Sequence, residues 1–194
     1  MKERLSEHRF AHTLSVKDTA LEIFEANLDH LNIEDQKQII SQEVFIDRLE
    51  IAGLLHDSCK ELKNEELLKL ANFYGIKIYP EDEATPNLLH ARVGAKWVED
   101  EFEIIDPYII KAIEEHTFGG EEMFLSSKIL FLADMVEPKR KASKDLEEIR
   151  DKVYRSQDLD ASLFFAMNKK VIHILEKGHR LHPLAIQARN NLIT

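Results

Sequence analysis

The sequence predicts an all-α fold, on three observations. Apolar residues recur at helical spacing through almost every segment. Helix start and stop signals fall between those stripes, as in Thr85-Pro86, Asp106-Pro107 and Gly119-Gly120. The one strand-like piece, residues 76–82 (IKIYPED), reads better as a loop.

Taken in order, residues 9–23 carry His12, Val16, Ala20 and Ile23 on one stripe. A polar stretch over 27–35 breaks that helix, and 35–42 is expected to form a short one. Residues 44–58 repeat the pattern, with Leu49, Ala52, Leu55 and His56 inward. Asn64 is the expected cap of a helix running to Tyr74, which Gly75 ends. Thr85-Pro86 opens a helix with His90, Val93, Gly94 and Trp97 on one face. Asp106-Pro107 opens another, with Ile109, Ala112, Ile113 and His116 aligned. The apolar run 126–136 contains Asp134 and is followed by Pro138. Helices over 144–154, 158–177 and 183–192 complete the chain, with no repeat or domain boundary. One domain over 1–194 is therefore expected, with the C-terminal helices of about 144–192 on a core of about 9–140.

A chain of 194 residues is long enough to bury a core without staples. No run approaches the roughly 18 to 20 apolar residues a membrane helix needs, so no membrane partner is expected. The N-terminal MKERLSEHRF lacks the apolar centre of a signal peptide, which points to the cytoplasm. Cys59 is the only cysteine, so an internal disulfide and a thiolate metal site are both excluded. It reads as a small buried hydrophobe, with a catalytic role as the alternative. The formal net charge of -10, without a dense basic run, argues against a nucleic-acid partner. Such a field also repels a polyphosphate at long range, so cations would have to be supplied locally.

Several polar residues fall on core-facing stripes: His12, His56, Asp57, His90, His116 and Asp134. A lone histidine there is usually a hydrogen-bonded core residue. Asp134 is harder to dismiss, because an unpaired carboxylate among Ile129, Leu130, Phe131 and Leu132 would cost several kcal/mol or protonate. Lys128 points elsewhere on that helix. Adjacent residues diverge by about 100° on a helix. His56 and Asp57 therefore converge only if the helix ends there and the site lies across its tip. Four imidazoles and two carboxylates suit iron, manganese, cobalt or zinc. If all six ligate, two metals are needed for positions to stay open to substrate. His8, His30, His173, His179 and His182 carry less weight, the last two sitting at a helix stop and restart.

The ordered series Arg9-x-x-His12-Thr13, His56-Asp57-x-x-Lys60, Leu89-His90-Ala91, Glu115-His116-Thr117 and Ala133-Asp134-x-x-Glu137-Pro138-x-Arg140 resembles the HD-domain superfamily of metal-dependent phosphohydrolases. It is most similar to the YqeK-type branch, whose members hydrolyse diadenosine tetraphosphate symmetrically to two ADP. The connection over 27–47 is longer than that family usually has. The resemblance implies an HD helical bundle and two divalent metals, most often iron. His12, His56, Asp57 and Asp134 would hold one metal, and Asp57 would bridge to a second held by His90 and His116. A metal-activated water would attack the phosphate chain. Asp57 and Lys60 are the implied catalytic residues, and Arg9, Lys60, Thr117 and Arg140 the candidate substrate contacts. Glu137 would anchor Arg140 or accept a hydrogen bond behind a ligand. The implied partners are a dinucleoside polyphosphate and its ADP product, with a homodimer left open. Other readings remain: another two-metal HD nucleotide phosphohydrolase, a cyclic-dinucleotide phosphodiesterase, a di-iron oxygenase and a non-catalytic HD-like interaction module.

Overall fold

The computed structural model describes residues 5–156 and 158–193. Met1 to Arg4, Gln157 and Thr194 lie outside it, and with them the start of the N-terminal stretch and both extremes of the expected 1–194 domain. The described residues form helices α1 (Glu7–Asn27), α2 (Ile33–Gln36), α3 (Gln42–Leu55), α4 (Asn64–Phe73), α5 (Pro80–Ala84), α6 (His90–Phe102), α7 (Pro107–Glu115), α8 (Leu125–Val136), α9 (Lys144–Arg155), α10 (Leu159–Glu176) and α11 (Pro183–Asn191). The fold is all-α, with no strand among those residues. None of these helices is long and apolar enough to cross a membrane.

The start of α1 is fixed by Ser6, whose hydroxyl accepts the Arg9 amide N–H at 3.2 Å. The Ser6 N–H and O–H donate in turn to the Glu61 carboxylate, each at 2.7 Å. The first turn of α1 is thereby tied to the segment that follows α3. Val16, Ala20 and Ile23 of α1 enter one core with Phe45, Leu49 and Ala52 of α3 and Ile129 and Leu132 of α8. Gly53 permits that approach, since a Cβ there would lie 2.8 Å from the Lys17 Cα. The α6 and α7 helices close the other side, and α9 and α10 pack on α8.

Four boundaries differ from the sequence expectation. The short helix of the long connection is α2 and not 35–42, because Asn32 caps it by accepting the Asp35 N–H at 2.8 Å. Asp35 is then buried and paired with Lys128 of α8 at 2.9 Å, while Lys128 also meets Asp160 at 2.7 Å. Asn64 is the first residue of α4 and not its cap, because the Glu66 carboxylate accepts the Lys63 N–H. Within 76–82 the chain turns helical at Pro80, where Asp82 accepts the Tyr79 N–H at 2.9 Å. Thr85-Pro86 opens a 3-10 turn over Pro86–Leu89, and α6 proper starts at His90. Asp106 caps α7 as expected, accepting the Tyr108 N–H at 2.9 Å.

Candidate metal centre

His56 follows the last residue of α3 and His116 the last residue of α7, so both rings cross helix tips. His90 opens α6, His12 lies in the second turn of α1, and Asp134 lies in the last turn of α8. Three of the rings are aimed by the same local device. The Nδ1 atoms of His56, His90 and His116 lie 2.8, 2.6 and 2.7 Å from the carbonyl oxygens of Gly53, Asn87 and Ile113, each three residues earlier. A carbonyl only accepts, so Nδ1 carries the proton and Nε2 presents its lone pair. His12 is turned by a side chain instead, with Nδ1 3.1 Å from Glu137 Oε1.

Asp57 sits between the rings and divides its two oxygens. Oδ2 is 3.6 Å from Nε2 of both His12 and His56. Oδ1 is 3.3 Å from His90 Nε2 and 3.7 Å from His116 Nε2. Asp134 Oδ1 completes the first side, 3.1 Å from His12 Nε2. Burial works against the charge of both carboxylates, but His56 and His90 around Asp57, and His12 and Arg140 around Asp134, hold them well below the usual range. Burial also lowers His90, and it lowers His116 far more with His56 and His90 as neighbours, which keeps both rings neutral. His12 moves the other way: burial is the largest single influence and lowers it, but the bond to Asp134 and the charges of Asp134 and Asp57, with the bond to Glu137, together raise it.

These donors fit divalent cations. His56 Nε2 is buried with no hydrogen-bond partner. His90 and His116 face each other through Nε2 atoms 3.1 Å apart, and both of those nitrogens are acceptors. The Thr117 hydroxyl lies 3.3 and 3.2 Å from the two, but its one proton serves only one of them. A cation joins such lone pairs without a proton. Two overlapping groups have the required proximity, His12 with His56 and Asp134, and His56 with Asp57 and His116. The second grouping brings His56 nearer to His116 than an assignment of His56 to one metal alone suggests.

A cavity of about 450 Å³ opens onto this cluster, and Arg9, Lys60, Thr117 and Arg140 all line it. Arg9 donates to Asp57 Oδ2 at 2.8 Å, and Arg140 donates to Asp134. Lys60 Nζ lies 3.3 Å from His90 Nε2, and burial lowers its pKa despite the pull of Asp57. Glu137 does not anchor Arg140. Its Oε2 accepts from Ser15 and from the Lys139 N–H, while Oε1 holds His12. Sequence reasoning missed the far wall, where Leu146 and Ile149 of α9 and Lys169 and Lys170 of α10 face the same space. The available signal was Lys170 itself, a cation continuing the buried stripe Leu163, Ala166 and Met167. Cys59 is buried among Leu67, Leu89 and Val93, away from the cavity. His182 caps α11 and stacks on Phe118, with ring centroids 4.1 Å apart.

Known proteins resemble this chain in sequence and in fold. The HD-domain family matches residues 9–139. A symmetrical bis(5'-nucleosyl)-tetraphosphatase from Halalkalibacterium halodurans is 30% identical, covering 100% of this chain and 93% of its own. One of the same name from Bacillus subtilis is 29% identical, covering 100% and 94%. Among solved structures, a predicted HD superfamily hydrolase involved in NAD metabolism, from Clostridium acetobutylicum, superposes with a TM-score of 0.83 at 30% identity. That match covers 98% of this chain and 92% of the other. With a family match over residues 9–139 and a relative 30% identical over the full chain, this protein belongs to the HD-domain family.

Proposed function

We infer that this protein is a cytoplasmic, metal-dependent hydrolase that cleaves diadenosine tetraphosphate symmetrically, consuming one water and releasing two ADP. The observation that carries the reading is the division of Asp57, with one oxygen toward His12 and His56 and the other toward His90 and His116. In this reading His12, His56, Asp57 and Asp134 hold one divalent cation, and His90 and His116 hold a second that Asp57 shares. Iron is the expected metal, with manganese, cobalt or zinc as substitutes. Bound there, the pair would supply Lewis acidity to a water and to the phosphate oxygens.

The chain's own residues do the rest. Arg9 and Arg140, already beside the two carboxylates, bind the charged phosphate chain. Lys60 holds a phosphate oxygen in line with attack, and the Thr117 hydroxyl orients the group that enters. Met135, Leu146 and Ile149, beside the cluster, limit the water around the reacting phosphate.

The test is a substrate panel on iron- or manganese-loaded protein. ADP is expected as the sole nucleotide product from diadenosine tetraphosphate, and His56→Ala or Asp57→Ala abolishes its release while circular dichroism stays helical. Wild-type protein that leaves dinucleoside polyphosphates intact, yet cleaves another phosphoester, overturns the assignment.

A further inference from the structure

The HD-domain match stops at residue 139, but the cavity does not. Its second wall is built by α9 and α10, and Lys170 is a half-buried charged group on it. The Lys170 ammonium donates to the Thr117 carbonyl oxygen at 2.6 Å and lies 4.8 Å from the centre of the Phe131 ring. Thr117 follows His116 directly, so this bond fixes Lys170 against the rim of the metal centre. Burial pushes its pKa down to about 8, against the pull of Asp134 and with the push of Arg140 and Lys60. Those three charges belong to the same cavity.

Lys169, next in sequence, is spent on other partners. It lies 2.6 Å from Asp145 and 2.6 Å from Glu148. Among the described residues no carboxylate pairs with Lys170. An ammonium drawn out of water without a counter-charge costs stability unless an anion arrives to complete it. Beside it, Met135, Leu146 and Ile149 give the cavity an apolar face.

We propose that Lys170 and this apolar face of α8 and α9 form the subsite for one nucleoside diphosphate half of the substrate. Lys170 binds its phosphates, and Met135, Leu146 and Ile149 seat its nucleoside. The inference rests on the dinucleoside polyphosphate reading for its substrate, but its test reads binding and is independent of turnover.

Calorimetry on manganese-loaded protein, with ADP as the probe, compares wild type, Lys170→Gln, Lys170→Arg and, as a lysine outside the cavity, Lys96→Gln. Loss of a charge-assisted contact predicts ADP binding weaker by about tenfold or more in Lys170→Gln. Lys170→Arg retains most of the affinity, and Lys96→Gln stays within about twofold, as expected for an exposed pair. Inorganic pyrophosphate, which lacks the nucleoside, binds wild type more weakly than ADP does. With diadenosine tetraphosphate, Lys170→Gln raises KM more than it lowers kcat. Equal ADP affinity in Lys170→Gln and wild type overturns the subsite, as does an equal loss in Lys96→Gln or pyrophosphate binding as tight as ADP. If wild type binds ADP in this pattern but does not hydrolyse the dinucleotide, the subsite stands and the proposed reaction falls.

Discussion

Each of the four imidazoles donates its Nδ1–H to a different oxygen, and that choice decides what the other nitrogen can do. For His56, His90 and His116 the acceptor is backbone three residues earlier, so no single side-chain substitution removes it. His12 depends on Glu137 instead, across 3.1 Å and a sequence separation of 125. Glu137 is in turn fixed by Ser15 at 2.8 Å and the Lys139 N–H at 2.7 Å. This makes His12 the one ring whose aim can be tested by changing a residue that cannot itself reach the cluster. Removing such an outer acceptor typically costs about 10- to 100-fold in metal affinity. Glu137→Ala is therefore expected to weaken binding of one metal ion by about that factor, leaving the second ion and the helical content in place. Glu137→Gln keeps an acceptor for His12, although its amide group opposes the Lys139 N–H, so it should recover part of the loss. Metal titration followed by calorimetry separates the two ions. Equal affinity for both ions in Glu137→Ala and wild type would mean that His12 is not held this way.

At the scale of helices, the centre depends on how closely α1 and α3 approach. Gly53 serves both helix contact and ring direction, since its missing side chain admits Lys17 and its carbonyl aims His56. Replacing a mid-helix glycine by alanine ordinarily gains about 0.8 to 1 kcal/mol of helix propensity. Here the added Cβ would meet the Lys17 Cα at 2.8 Å, and backbone cannot swing aside as a flexible side chain can. Overpacking of that kind costs about 1 to 3 kcal/mol. The steric cost is the larger over most of that range, so Gly53→Ala should destabilise the protein by up to about 2 kcal/mol net and also weaken metal binding. Thermal melts of protein with and without metal check both parts. A Gly53→Ala melting temperature equal to or above wild type would show that α1 yields freely.

For the molecule as a whole, much of the centre is legible because polar residues stand out on apolar stripes. His12, His90, His116 and Asp134 each break a helical pattern, and His56-Asp57 coincide with a helix end. Lys170 breaks its stripe in the same way, but which cavity that face of α10 enters depends on non-local packing against α8 and α9. The start of α2 was missed for a local reason, because an asparagine cap with a buried aspartate looks like plain loop polarity. The six donors come from α1, α6 and α8 and from the tips of α3 and α7, so whatever occupies their centre ties five helices together. A ligand that binds only the folded state stabilises it by about 4 kcal/mol when present at about 1,000 times its Kd. For a chain of this size each kcal/mol shifts Tm by roughly 2 to 4 °C. Stripping metal with a chelator should therefore lower Tm by roughly 10 °C, and adding back iron or manganese should restore it. In His56→Ala the same chelation should change Tm much less, because that ring belongs to both donor groups. A wild-type Tm indifferent to chelator and added metal would mean that the cluster holds the helices together by hydrogen bonds alone.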